Sequence, residues 1–195
     1  MPRVSTHPLL PTPSNPPVPL PQVPGPKLEP FTLTAYAPDI EFLDRLGRDE
    51  DKDSYVWKAK ISGKGPYALK MFKFTTWEYL GQCYRRWLSK RLAKPQLYAD
   101  HFDPFNCECR VYGRLKQEEC EDLAVRSHGY LLLSSEQAHQ VARLMGRPRG
   151  DPGDDDPAIL YGRNFWDRYE QHRGHPVRAI VKEFVSDGGE GFNRT

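Results

Sequence analysis

Apolar and polar residues alternate with a period of two over Tyr55-Val-Trp-Lys-Ala-Lys-Ile61 and again over Tyr67-Ala-Leu-Lys-Met-Phe-Lys-Phe74. That period predicts two half-buried strands, and Gly63, Gly65 and Pro66 between them predict a turn. A short apolar segment, residues 40–46, supplies a third strand, and three short antiparallel strands are the simplest arrangement. After Phe74 the period becomes helical. Thr75 with Glu78 three positions on fits a capping box, and Leu80, Tyr84, Trp87, Leu88 and Leu92 recur until Pro95, which predicts a helix over 75–94. Asp103 and Pro104 suit the cap and first position of a second helix. It reaches about Asp122, with Phe105, Glu108, Tyr112 and Leu115 on one stripe. Ala124-Val125 and Tyr130–Leu133 read as one strand or two short ones framing a Ser-His-Gly turn. Ser135 caps a helix carrying Ala138, Val141, Ala142, Leu144 and Met145, and Ile159–Tyr169 holds a short helical element. Val177–Val185 is the last strand. The sum is an α+β fold: a small antiparallel sheet with helices packed against it.

Composition changes this picture at the ends. Eleven of the nineteen prolines fall in residues 1–30, and proline lacks the N–H and the backbone freedom that helices and central strands need. Residues 1–30 are therefore expected to be a disordered, polyproline-like tail, with order beginning near Pro38. Residues 187–195 (Asp-Gly-Gly-Glu-Gly-Phe-Asn-Arg-Thr) read as a flexible C-terminal tail. One domain over 31–186 remains, enough for a single modest core and too short for a two-lobed enzyme of about 250 residues.

Charge and cysteine content remove further classes. Lys plus Arg is 28 against 26 for Asp plus Glu, a balance that argues against nucleic acid as the partner. The basic run Arg85, Arg86, Lys90, Arg91 and Lys94 reads as a solvated helix face. The longest apolar run, Tyr130–Leu133, cannot span a membrane. The four cysteines do not form a disulfide pattern, and Cys107 and Cys109 point in different directions on a helix with no second pair at finger spacing, so no metal site is identified. His101, His128, Cys107, Cys109 and Ser127 lack the third group that nucleophilic catalysis requires. The four tryptophans are expected to serve packing.

One constellation carries chemistry. Ala68, Lys70, Phe72 and Phe74 share a strand face, so Lys70 points with small and apolar residues. Glu108 lies on the core-facing stripe of a helix. Each charge needs a partner on leaving water, and a Lys70–Glu108 pair between sheet and helix satisfies both.

With these residues in hand, Val56-Trp-Lys-Ala59 followed by Tyr67-Ala-Leu-Lys70 resembles the start of a protein-kinase N-terminal lobe. The resemblance implies ATP as cofactor. It matches Leu46 and Gly47 to the start of the nucleotide loop, Val56 and Ala68 to the adenine cavity, Lys70 to the phosphate-positioning lysine and Glu108 to its helix partner. Glu183 and Val185 match the hinge that offers backbone groups to adenine. More narrowly, Leu97–Lys116 and Ala124–Leu133 are similar to a fungal kinase-like family grouped with an inner-kinetochore complex subunit of fission yeast. That implies an intracellular, nuclear location; apart from the resemblance, the expected location is cytoplasmic.

The sequence also departs from the kinase pattern. The loop after Gly47, Arg-Asp-Glu-Asp-Lys-Asp-Ser, replaces glycines with acids that repel phosphates. Residues 134–176 form a long insertion between the last two strands. His-Arg-Asp and Asp-Phe-Gly are absent, so the expected protein is a pseudokinase-like N-lobe, catalytically inactive, with residual ATP binding. The alternative expectation is a protein-interaction or scaffold module, kinetochore-associated. A lone lobe exposes apolar surface, which a protein partner or a second copy would cover.

Overall fold

The protein is described by a computed structural model that covers residues 20, 23–31, 38–47, 53–74, 100–145, 166, 172 and 174–186. The expected helix over 75–94 with its basic run, Trp77 and Trp87, most of 146–173 and the tail 187–195 lie outside the described residues. The described elements are β1 (Ile40–Leu46), β2 (Ser54–Ile61), β3 (Lys64–Phe72), α1 (Pro104–Gln117), a 3-10 turn (Glu121–Leu123), β4 (Ser127–Leu133), α2 (Ser135–Leu144) and β5 (Val177–Glu183).

The five strands form one sheet in the order β1-β2-β3-β5-β4, and every neighbouring pair is antiparallel. The β2–β3 hairpin closes through Ser62 and Gly63, at φ 49° and 72°. Two successive left-handed residues give the tight turn whose twist matches that of the flanking strands. Leu69 and Met71 of β3 fall on one face of the sheet with Val177, Ala179 and Val181 of β5. They pack on Ala138, Val141 and Ala142 of α2 and on Trp166, all buried. Trp166 is fixed at both ends: its indole N–H donates to the Ala138 carbonyl at 3.3 Å, and its own carbonyl accepts from Phe74 N–H at 2.8 Å. On the other face Phe72, Tyr130 and Ile180 meet Phe105 and Cys109 of α1. Each fully buried large apolar side chain contributes roughly 1.5–3 kcal/mol.

Several expectations shift at the ends of elements. β3 ends at Phe72, so Phe74 does not share the face of Ala68, Lys70 and Phe72 but packs in the core on the opposite side. The cap of α2 is Ser134, not Ser135: its hydroxyl accepts from Gln137 N–H while the Gln137 side chain accepts from Ser134 N–H. His128-Gly129 lies inside β4 rather than in a turn, with a register irregularity between Ser127 and Gly129. Ala124 and Val125 follow the 3-10 turn instead of forming a strand, and β5 stops at Glu183.

The largest correction concerns the N-terminal tail. Residues 23–31, expected in part to be disordered, run along the domain. Leu28 is buried against Phe72, Phe105, Cys109, Tyr130 and Ile180. Its N–H donates to the Cys109 carbonyl at 2.8 Å, and Glu29 and Phe31 bond to both backbone groups of Tyr130 on the edge strand β4. A buried leucine and three backbone hydrogen bonds outweigh the proline content here, because Pro30 has no N–H to satisfy at a sheet edge.

Candidate functional site

Between α1 and the open part of the sheet lies a cleft of about 780 Å³. Leu46, Val56 and Ala68 form its sheet side, Pro104, Cys107, Glu108 and Tyr112 its helix side, and Glu183–Val185 its rim. Sequence pattern explains this convergence. Register pairs Leu46 with Val56 and Val56 with Lys70, and it pairs Ala68 with Lys182. The small Ala68 side chain leaves room above the sheet.

α1 is placed by its first turn. Asp103 accepts from Asn106 N–H at 3.1 Å and takes both Arg178 guanidinium nitrogens at 3.0 Å, with both side chains nearly buried. The bidentate geometry fixes orientation as well as distance. The helix is rotated from the expected stripe. Phe105, Cys109 and Gly113 face inward, while Glu108 and Tyr112 sit at the edge of the buried face and Leu115 is half-buried. That rotation brings Glu108 into the cleft.

Glu108 there receives two ammonium groups. Oε1 accepts from Lys70 Nζ, and Oε2 accepts from Lys182 Nζ at 2.8 Å. All three side chains are at most one-quarter exposed. The Lys182 Nζ also lies 4.8 Å from the Tyr112 ring centre. Burial would lower the Lys182 pKa, but its hydrogen bonds with Glu108 and Tyr112 and the Glu108 charge outweigh burial and raise it above 10.5.

Of the residues singled out in the sequence, Val56, Ala68, Lys70, Glu108, Glu183 and Val185 all line this cleft. Gly47 does not, although its neighbour Leu46 does; Gly47 ends β1 at φ 98°, and residues 48–52 lie outside the described residues. The Glu183 N–H is already taken, donating to the Arg126 carbonyl at 2.9 Å.

Lys182 was the residue missed. Its signal was present in β5, where Val177, Ala179 and Val181 leave Arg178, Ile180 and Lys182 on the α1 side of the sheet. Phe184, the first residue after β5, places its ring 4.7 Å from Lys58 Nζ.

Nucleophilic chemistry has little support in this cleft. Burial raises the Cys107 thiol pKa, with Arg110 only partly opposing it, and the thiol donates to the His101 carbonyl at 2.9 Å. Glu108 is engaged by both lysines and is therefore not a free base. No group of three His, Cys, Asp or Glu side chains suited to a metal occurs among the described residues. The cleft can bind: it offers an apolar floor, a paired charge centre and an exposed apolar lip, with Val125 45% and Val185 63% exposed. No helix among the described residues is long and apolar enough to cross a membrane.

Fold and site define a small α+β domain whose antiparallel sheet and helix flank an open cleft. Residues 16–194 match the family described as kinetochore Sim4 complex subunit FTA2, and the chain belongs to that family. No curated protein and no solved structure matches it.

Proposed function

We propose that this chain is a non-catalytic protein-interaction module of a kinetochore complex, built on a frame like a protein-kinase N-terminal lobe. Membership of the Sim4 complex subunit family over nearly the whole chain is the observation that carries the reading. The same membership supports a nuclear place of work. The cleft agrees with binding rather than turnover: its carboxylate is held by two lysines, and its lip presents Val125 and Val185 to solvent. Leu123 on the adjoining 3-10 turn is 75% exposed. Apolar side chains gathered at a cleft mouth suit a protein partner.

The test is purification of the tagged full chain from a fungal nucleus at physiological salt, with its companions identified by mass spectrometry. Recovery of Sim4-type complex subunits is expected. A chain that emerges alone overturns the reading.

Residual nucleotide binding is a second reading, favoured by the formed Lys70–Glu108 pair and by Val56 and Ala68 beside it. Calorimetry of the full chain with ATP, with and without magnesium, tests it. Saturable binding that Lys70→Met abolishes in a folded protein supports a nucleotide cleft; no heat from folded wild type removes it.

A further inference from the structure

The segment Lys27–Phe31 touches both elements that flank the edge of the domain, and the contacts are close enough to restrict sequence on the other side. A Cβ placed on Gly113 of α1 would lie 2.5 Å from Lys27 Cα, and one on Gly129 of β4 would lie 2.7 Å from Phe31 Cα. Gly113 is helical, a position where alanine is otherwise favoured by about 1 kcal/mol. Its presence is explained by the backbone that crosses it. Leu28 is 4% exposed between α1 and the sheet. Pro30 pairs with Tyr130 in a parallel bridge, flanked by Phe31 N–H to Tyr130 O at 2.8 Å and Tyr130 N–H to Glu29 O at 3.0 Å. Glu29 also pairs with Lys116 on the last turn of α1 at 3.0 Å.

We infer that Lys27–Phe31 is a strap that sets how closely α1 lies on the sheet, and that through Glu108 it sets the state of the cleft. The route is short. Leu28 bonds to Cys109, the residue next to Glu108, and Glu108 is the contact by which α1 grips Lys70 on β3 and Lys182 on β5. Lifting the strap removes a buried side chain from beneath α1 and frees the helix to move outward, parting the carboxylate from both ammonium groups. The strap follows directly on the proline-rich stretch Pro16–Pro26, a composition that docks on aromatic grooves. A protein that engages that stretch and draws the strap away thereby opens the cleft, and by reciprocity an occupant that holds α1 inward tightens the strap. This holds whichever ligand the cleft takes.

Two variants of the full chain test it, Leu28→Asp and Gly113→Ala, read by hydrogen exchange and by acetylation rates of individual lysines. The strap predicts at least tenfold faster exchange across residues 105–113 in Leu28→Asp, several-fold faster acetylation of Lys70 and Lys182, and unchanged exchange in β1 and β2, which Leu28 does not touch. Gly113→Ala strengthens the helix locally, so a merely local effect slows exchange in α1. The strap predicts the opposite at the lysines: both become more reactive because the crossing backbone is displaced. Unchanged lysine reactivity in folded Gly113→Ala overturns the inference, even if Leu28→Asp fails to fold.

Discussion

Glu108 on α1 and Lys182 on β5 are joined by a hydrogen bond of 2.8 Å, at the point where the helix edge meets the open sheet. Lys70 reaches the other oxygen of the same carboxylate. One acid therefore answers two bases in a partly buried place, and removing each member has a different effect. Lys182→Met leaves Glu108 with Lys70 and costs about 1–2 kcal/mol. Glu108→Ala leaves two ammonium groups side by side without a counter-charge and costs about 3 kcal/mol. Urea unfolding followed by circular dichroism checks the order. Equal losses would mean that the Lys70–Glu108 contact contributes nothing beyond the Lys182 pair.

Asp103 serves as helix cap and as the partner of Arg178 at once. Asp103→Ala leaves a guanidinium with 15% side-chain exposure unpaired and the first turn of α1 uncapped. Its expected cost is roughly 3–5 kcal/mol, the range for breaking one side of a buried pair. Asp103→Asn retains the cap and loses the charge, so it should fall between wild type and alanine in the same urea experiment.

Alkaline pH should weaken the fold through two groups. Burial pushes the Cys109 thiol up to about 12 from 9.0, against the opposing charge of Arg178. Lys182 is also held above 10.5, because its bonds to Glu108 and Tyr112 outweigh burial. A raised folded-state pKa favours the protonated form in the native protein. The corresponding stability is whole below pH 9.0 for the thiol and below 10.5 for the lysine, and it falls as pH rises through the folded values. Thermal midpoints measured from pH 7 to pH 11 should decline above 9, and the decline should be smaller in Cys109→Ala. At pH 8 alkylation of Cys109 in the native chain should be far slower than in urea, because the thiol is fully buried and held protonated. A midpoint that rises with pH, or native-state labelling of Cys109 at the unfolded rate, contradicts this account.

The sequence pattern reached the site more fully than it reached the edges of the fold. Lys70 and Glu108 were legible because each is a charge on a face that periodicity turns inward, and two such charges need one another. Lys182 obeys the same rule, but expecting a strand over Val177–Val185 does not by itself assign the face that its charged residues share. The strap was not legible from local signals. Proline density in residues 1–30 describes what the segment cannot form by itself, whereas the order of Lys27–Phe31 comes from Leu28 and from an edge strand about a hundred residues distant in sequence. Gly113 and Gly129 were its only marks: a glycine within a helix and one at φ 139° within a strand, each kept free of a side chain by the backbone lying against it.

The most direct test of the central claim is chromatin immunoprecipitation of the tagged full-length chain in a fungal nucleus, comparing wild type with Val125→Asp/Val185→Asp and with Lys70→Met. The account predicts enrichment at centromeres for wild type and for folded Lys70→Met, and loss of enrichment when the apolar lip carries aspartates. Wild type absent from centromeres contradicts a kinetochore module, and unchanged enrichment of the lip variant contradicts the placing of its binding surface at the cleft mouth.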